Sequence, residues 1–332
     1  MPPVLARDFH HETGFHCGSS ALRKLLLHYG HDLTEPACLG LGIGPSFYYL
    51  PSEHTSPTRF FGGRNPMMEN DFFRVLGIDA PVHRHKDPFA AWPPVRAVLD
   101  AGHPVLVQVD IFHLPYYKST THFGGHKVLA VGYDGVAETV FISDSEFTNV
   151  QEVPLAQFAQ ARRDPTPPYD LEGHWWEIRD ISRIAPMKEA VPAAIRECAV
   201  RMVRNESGLF GVPAMRRMEA ELPAWGDAPD WRWSARFGYQ IIERRGPGGG
   251  SFRTQYANFL DQCSRHDPII RKLRLAERMR EIGVCWTNFA MHLKGISERE
   301  TPSGFDDAQI LFEEIVKLEE EFFEDIAAEY GD

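Results

Sequence analysis

Apolar residues near the start of the chain recur at the spacing of one helix face. In CGSSALRKLLLHY, the segment that begins at Cys17, three leucines and the closing tyrosine occupy relative positions i, i+3, i+4 and i+7. This is the period of an amphipathic helix. Gly30 follows directly, and glycine is the residue that most often ends a helix. The pattern predicts a helix that opens at Cys17 and stops before Gly30.

The next part of the chain, up to about residue 94, has weak periodicity. It is rich in aromatic residues and glycine, as in GLGIGPSFYYL and TRFFGGRNP. Clusters of glycine, proline and serine of this kind are typical of loops. The segment therefore predicts loops with short helices, of which 70–76 and 95–101 have the clearest helical spacing.

From residue 104 the pattern changes to short runs of β-branched and apolar residues. VLVQVDIF, KVLAVGYD and TVFISD are separated by turn residues, and HWWEIRDI follows later. Such runs are typical of strands, and their nearly continuous apolar character predicts a largely buried sheet. PLAQFAQARR, at 154–163, predicts a helix before the last strand.

Beyond about residue 186 the strand pattern disappears and only helical segments follow. We therefore predict two domains, 1–185 and 186–332, in a chain of 332 residues that exceeds the usual size of one compact core. The fold class is predicted as α+β, a domain with a helix on an antiparallel sheet, followed by an all-α domain. The predicted helices of the second domain are near 187–206, 211–223, 230–243, 251–264, 270–296 and 305–329.

A run of glutamates in the last predicted helix is most simply a solvated acidic face. These residues are Glu313, Glu314, Glu319, Glu320, Glu321 and Glu324.

Charge and composition exclude several classes of protein. Lys and Arg number 35 against 46 Asp and Glu, a net charge of −11, which is the wrong sign for a surface that neutralises nucleic-acid phosphates. No apolar stretch approaches the roughly 20 residues that cross a bilayer, and the start of the chain lacks the apolar core of a signal peptide. Five cysteines at wide spacing indicate reduced thiols rather than a disulfide framework. We expect a cytoplasmic protein that binds neither nucleic acid nor membrane.

Cys17 is the first candidate for chemistry. A thiol becomes a strong nucleophile when its pKa falls, and the start of a helix together with a nearby imidazolium lowers that pKa. The backbone amide of Cys17 could also donate to an oxyanion, as acyl transfer requires.

A histidine and a carboxylate in the predicted sheet complete the set. His126 directly precedes the apolar strand of HKVLAVGYD, and Asp144 ends the next strand, 18 residues later. A rigid histidine can serve as base, and a carboxylate on the neighbouring strand would fix its tautomer. The predicted catalytic residues are Cys17, His126 and Asp144.

Other polar residues are candidates for oxyanion or substrate contacts. They are His11, Glu12, His16, Tyr116 and His122. His122 and His126 have the spacing of metal ligands on a helix, but the sequence FGG between them disfavours a helix, and no nearby acidic residue or cysteine completes a set. We predict no metal and no cofactor.

Several segments together resemble a known family. FHHETGFHCGSSALRKLLLHYG, QVDIFHLPYY, HFGGHKVLAVGYD and VFISDSE resemble the N-terminal domain of butirosin biosynthesis protein H, which is papain-like and related to bacteriocin-processing peptidases. The resemblance covers about 8–185. The rest, with GPGGGSFRTQYANFLDQC, resembles the helical domain that commonly follows it.

The resemblance implies an acyltransferase of specialised metabolism. Its cysteine would accept an acyl group from a thioester, on a carrier protein or coenzyme A, and pass it to an amine to form an amide. By residue match, the nucleophile, base and orienting acid fall on Cys17, His126 and Asp144. The related peptidases place an oxyanion-binding glutamine six residues before the cysteine, where this chain has His11, next to Glu12.

Two other functions remain open at this point. A cysteine peptidase or amidohydrolase would use the same three residues with water as second substrate, and a noncatalytic binding protein could share the fold. The expected partners are an acyl thioester donor and an amine acceptor, and the helical domain could pair subunits in a homodimer.

Overall fold

The structure, a computed structural model, describes residues 3–87, 89–163, 165, 169–246 and 248–331. Its strands are β1 Val4–Leu5, β2 Pro45–Pro51, β3 Arg59–Arg64, β4 Val82–His83, β5 Val105–Val109, β6 His126–Asp134, β7 Thr139–Ser143, β8 Gln151–Pro154 and β9 Trp175–Trp176. Its helices are α1 Cys17–His28, α2 Glu35–Leu41, α3 Met68–Val75, α4 Trp92–Asp100, α5 Leu155–Ala161, α6 Met187–Val203, α7 Gly211–Glu221, α8 Trp231–Glu243, α9 Arg253–Cys263, α10 Pro268–Lys272, α11 Leu275–Ser297 and α12 Phe305–Tyr330.

The chain divides into two compact units. The first combines Met1–Cys38 with Gly77–Ile184, and the second combines Leu39–Leu76 with Ala185–Asp332. The division at 184/185 lies within one residue of the predicted one. The segment 39–76 differs from the prediction, because it clusters with the helical half rather than with the domain that precedes and follows it.

Helix α1 begins at Cys17 as its apolar pattern predicts. Leu22, Leu25 and Leu26 are fully buried. After the helix, Gly30 has a φ of +87°, a conformation that costs glycine little. Its amide donates to the carbonyl of Leu27, so the predicted glycine stop is confirmed.

The first unit contains an antiparallel sheet with strand order β4-β9-β5-β6-β7-β8, and β1 also pairs with β6. In the central pair, Val109 lies opposite His126 and Val105 opposite Ala130. Helices α1 and α4 pack on β5 and β6. The predicted strands of the sheet are present, although HWWEIRDI supplies only the two residues of β9.

The core of this unit is formed by the apolar residues that the strand runs predicted. It unites β5, β6 and β7 with α4 and α5 through fully buried valines, leucines and aromatic side chains. Burying such side chains contributes about 1.5–3 kcal/mol each. The α+β class with a helical C-terminal region is confirmed.

The second unit begins with a hairpin that the sequence did not predict. Strands β2 and β3 pair antiparallel, with Tyr49 opposite Phe61. The hairpin packs against α6, α7 and α8, and the Tyr49 hydroxyl donates to Glu221 at 2.8 Å. Its buried aromatic rings are therefore part of the helical core, which explains why 39–76 belongs to this unit.

A buried ion pair joins the hairpin to the last helix of the second unit. Arg253 and Glu319 are both fully buried and form a bidentate pair, with contacts of 2.7 and 2.8 Å. The remaining guanidinium donors bond the carbonyls of Gly63, Ser251 and Ser46. All five donors of the guanidinium are thus used. The prediction that Glu319 lies on a solvated face is wrong, because this carboxylate is the counter-ion of Arg253.

The rest of the second unit is helical in its described residues, in agreement with the predicted segments. Helices α11 and α12 are the longest and pack on one another. In the part of the chain that the structure describes, none of the helices combines the length and the apolar character that a membrane span requires.

Candidate active site

His126 and Asp144 meet at one edge of the sheet. His126 opens β6 and Asp144 directly follows β7, and these two strands are antiparallel neighbours. The start of one strand and the end of the next therefore lie at the same edge. His126 Nε2 is 2.8 Å from Asp144 Oδ2, and both side chains are buried. The carboxylate fixes the tautomer of the ring and leaves Nδ1 for a second partner.

Two tyrosines surround the same carboxylate. The Tyr116 hydroxyl donates to Asp144 Oδ2 at 3.0 Å, and the Tyr117 hydroxyl donates to Oδ1 at 3.4 Å. Tyr117 also lies 3.2 Å from His126 Nε2. Burial raises the pKa of Asp144, but the charge of His126 and the hydrogen bonds from His126, the Glu146 amide and Tyr116 outweigh it and lower that pKa. Asp144 is therefore held as a carboxylate.

Cys17 lies close to the same imidazole, because His126 acts on the pKa of its thiol. Its side chain is partly accessible to solvent, and the imidazoles of His126 and His16 are near enough to act on the thiol through charge and hydrogen bonding. Burial raises the pKa of the Cys17 thiol, but the charges of His16 and His126 outweigh it and bring the pKa well below its ordinary value. Burial lowers the pKa of His126, yet Asp144 and Cys17 raise it well above its ordinary value. The two groups favour a thiolate and an imidazolium.

Glu35 and His16 fix the segment in front of Cys17. Glu35 Oε1 accepts from the His16 amide at 2.9 Å and from the Ser19 hydroxyl at 3.0 Å, while Oε2 accepts from the Phe15 amide at 3.1 Å. His16 caps α1, because its Nδ1 accepts from the Ser19 amide at 3.2 Å. These contacts occupy two of the four amides at the helix start, those of His16 and Ser19.

Two amides at the helix start remain. Within the described residues, no hydrogen bond uses the amide of Cys17 or of Gly18, whereas the amides on either side are bonded to Glu35 and His16. Adjacent free N–H groups at a helix N-terminus suit a developing negative oxygen. The predicted amide donor, Cys17, thus has a neighbour in Gly18 that the sequence did not single out.

A buried lysine lies on the same helix, seven residues after the cysteine. Lys24 is 1% exposed, and its Nζ donates to the carbonyl of Glu12 at 3.3 Å. Burial lowers the pKa of Lys24 to about 8, against the opposing effects of Asp144 and Glu35. Lys24 therefore ties the chain before Cys17 to the body of α1.

Two predicted oxyanion candidates make other contacts. His11 Nδ1 bonds the Ser143 hydroxyl at 2.8 Å, and Nε2 bonds the carbonyl of Phe147 at 2.9 Å. Both ring nitrogens are thus occupied by protein groups. The side chain of Glu12 pairs with Arg23. In the structure both side chains are engaged by protein groups, and their role as oxyanion or substrate contacts stays a prediction.

The contacts of His122 lie outside the trio of Cys17, His126 and Asp144. Its Nδ1 is 2.7 Å from Asp110 Oδ2, and its ring stacks on Phe112 with centroids 4.0 Å apart. The sequence argument against a metal site concerned the pair His122 and His126. In the structure His122 instead pairs with Asp110, a buried aspartate 12 residues earlier.

The sequence did not reveal Glu35, Lys24 or Asp110 as parts of these clusters. Glu35 lies in a segment with weak periodicity, and Lys24 occupies a helix position where an exposed lysine is usual. Nothing local distinguishes them, because their partners come from folding. Tyr116 and His16 were identified, and their contacts with Asp144 and Cys17 place them beside the trio.

Alkylation should distinguish Cys17 from the other thiols. Cys285 is also partly accessible, but burial raises the pKa of its thiol. At pH 6 an ordinary thiol is about 0.3% thiolate or less, so we expect iodoacetamide to modify Cys17 at least about 100-fold faster than Cys285. Because the pKa of Cys17 is lowered, its rate should change little between pH 6 and 8, as measured by peptide mass spectrometry. A tenfold rise per pH unit at Cys17 would contradict the thiolate.

The comparisons with known proteins fit this geometry. The family described as butirosin biosynthesis protein H, N-terminal, matches residues 16–145, the range that contains all three members of the trio. A domain of unknown function (DUF4872) matches residues 156–326. No curated protein matches the chain. The chain therefore belongs to the family of proteins that join a butirosin biosynthesis protein H N-terminal domain to a DUF4872 domain.

Proposed function

We propose that the protein is a cysteine acyltransferase that takes an acyl group from a thioester and forms an amide with an amine. One observation carries the proposal. Cys17 begins a helix whose first two amides, those of Cys17 and Gly18, are free, and two imidazoles lower the pKa of its thiol. Its base, His126, is hydrogen-bonded to Asp144. Nucleophile, base, orienting acid and oxyanion donors are the four parts that acyl transfer through an enzyme thiol needs.

In the first half-reaction, the Cys17 thiolate attacks the thioester carbonyl carbon and a new C–S bond forms. The carbonyl oxygen becomes negative and lies within reach of the Cys17 and Gly18 amides. When the tetrahedral intermediate collapses, the bond to the donor sulfur breaks and the imidazolium of His126 gives that sulfur its proton. The products are an acyl-enzyme, a neutral His126 and a free thiol.

In the second half-reaction, an uncharged amine attacks the acyl carbon. Neutral His126 accepts the proton that the amine nitrogen loses, the bond to Cys17 breaks, and the thiolate returns with its imidazolium partner. Asp144 keeps its charge throughout and stabilises the imidazolium. The first exchange is nearly isoenergetic, since one thioester replaces another, and the formation of the amide drives the sequence.

The proposal is tested by intact-mass analysis of the full chain incubated with a panel of acyl thioesters of coenzyme A, pantetheine and N-acetylcysteamine. We expect one acyl group on the wild type and on Cys285→Ala, which removes the other partly accessible thiol, and none on Cys17→Ala. On addition of amines, the acyl group should leave as an amide.

Each other outcome is informative. An adduct that persists on Cys17→Ala would exclude this nucleophile, and the absence of an adduct with every donor would exclude acyl transfer from these thioesters. Release of the acyl group only as the free acid, at a rate that amines do not change, would replace the transferase by a hydrolase using the same trio.

A further inference from the structure

A second polar cluster lies in the first unit, after the end of β5. Asp110, His113 and His122 each present one possible ligand atom, and these atoms all lie within 4.8 Å of one another. The set contains two imidazoles and one carboxylate, which is a ligand combination that zinc and related divalent ions accept. None of the three belongs to the trio of the candidate active site.

The carboxylate of Asp110 is oriented before any ion arrives. The residue is fully buried. Its Oδ1 accepts from the amide of Phe112 at 3.0 Å and from the amide of Phe123 at 2.9 Å. The other oxygen, Oδ2, faces His122 Nδ1 at 2.7 Å. Hydrogen bonds that orient a ligating carboxylate in this way are the usual outer support of a metal ligand.

The two histidines give the cluster an opening to solvent. The side chain of His122 is 44% exposed, and His113 is partly exposed. A tetrahedral ion bound at about 2.0–2.2 Å keeps its ligand atoms roughly 3.4 Å apart. The hydrogen-bonded pair, 2.7 Å apart, would therefore separate slightly, and the third ligand atom, within 4.8 Å of the others, would move inward. The stacking of Phe112 on His122 limits the rotation of that ring.

We propose that Asp110, His113 and His122 form a site for a divalent transition-metal ion of the Zn²⁺ class, with water in the remaining position. The ion replaces the proton between Asp110 Oδ2 and His122 Nδ1. The inference goes beyond the proposed acyl transfer and does not depend on it. Binding would join both ends of the loop that carries Tyr116 and Tyr117, whose hydroxyls bond Asp144.

The test is a Zn²⁺ titration of the full chain in competition with a chromophoric chelator. The Cys17→Ala variant is used throughout, because a thiolate between two imidazoles would itself attract the ion. We expect one equivalent to bind. In the same background, His122→Gln and His113→Gln should each weaken binding at least tenfold, since loss of one ligand of three removes a metal bond. His54→Gln, an exposed histidine of the second unit, is the matched control.

A second readout reports coordination directly. Bound Co²⁺ should give the visible absorption of a four-coordinate ion, and the His122→Gln variant should lose it. The side chain of His122 is 44% exposed, and the glutamine amide can still donate to Asp110, so the metal-free variant should keep the circular dichroism spectrum of the folded protein. Equal affinity in the His122→Gln and His54→Gln proteins, or the absence of a stoichiometric site in the Cys17→Ala protein, would overturn the proposal.

Discussion

His126→Gln is expected to slow acylation of Cys17 by at least about 10³-fold at pH 7. The substitution removes the general acid that protonates the leaving thiol, an effect usually of 10²–10⁴. It also removes one of the two imidazoles that lower the pKa of Cys17, so less thiolate is present. The rate is measured by intact mass after rapid mixing with the thioester that labels the wild type best.

The rate of Cys17 acylation should depend on pH in a defined direction on each side of its optimum. In the wild type, the active form is the ion pair of the Cys17 thiolate and the His126 imidazolium. It is lost in acid, below the lowered pKa of Cys17, where the thiolate is protonated. It is also lost in base, above the raised pKa of His126, where the imidazolium gives up its proton. The profile of acylation should therefore be bell-shaped with a wide plateau. In the glutamine variant we expect alkylation of Cys17 to rise with pH across that plateau.

A matched control separates this effect from general damage. His103→Gln changes a partly exposed histidine of the same unit, bonded to His28, and should leave acylation within about twofold of the wild type. If His126→Gln kept the wild-type rate of alkylation at pH 6, His126 would not stabilise the thiolate, and its assignment as the partner of Cys17 would be wrong.

Glu319→Gln is expected to cost about 3–5 kcal/mol in the free energy of unfolding. The amide keeps the shape of the side chain but leaves the charge of Arg253 buried without its counter-ion. Glu319 also accepts the Trp286 indole N–H at 2.6 Å, and Arg253 lies over the Trp286 ring at 5.1 Å from its centroid, so the loss spreads through the core. Urea denaturation followed by tryptophan fluorescence measures it.

Two variants sharpen this measurement. Glu321→Gln lies on the same helix with an exposed side chain and should change stability by no more than about 0.5 kcal/mol. The double variant Arg253→Met/Glu319→Leu removes both charges and should be more stable than Glu319→Gln, because no unpaired ion stays buried. Equal stability of Glu319→Gln and Glu321→Gln would mean that the pair contributes nothing.

Much of the candidate site could be predicted from the sequence because each member has a local signal. Cys17 opens a segment with clear helical spacing, and His126 and Asp144 flank runs that read as strands. Antiparallel neighbours joined by a short turn bring such ends together without any long-range information. The positions of these residues in the sequence predict that they meet, but not which reaction they catalyse, so their chemistry stays a prediction.

The missing parts have no local signal. Glu35 bonds amides about 20 residues earlier, and Asp110 meets His122 across a loop. The sequence predicts loops where β2 and β3 lie, because glycine and proline interrupt their aromatic runs. Glu319 looked like its exposed neighbours, and only a partner 66 positions away distinguishes it. Each of these depends on which distant surfaces meet, and a pattern within one segment carries no such information.

The segment 39–76 has a consequence for how this protein can be divided. The polypeptide passes from one unit to the other at 38/39, at 76/77 and again at 184/185. A truncation after residue 184 would keep a hairpin whose aromatic rings had lost their covering helices, and it would invite aggregation. Recombination that exchanges one unit for another must therefore respect three junctions, so the two halves are expected to be inherited together.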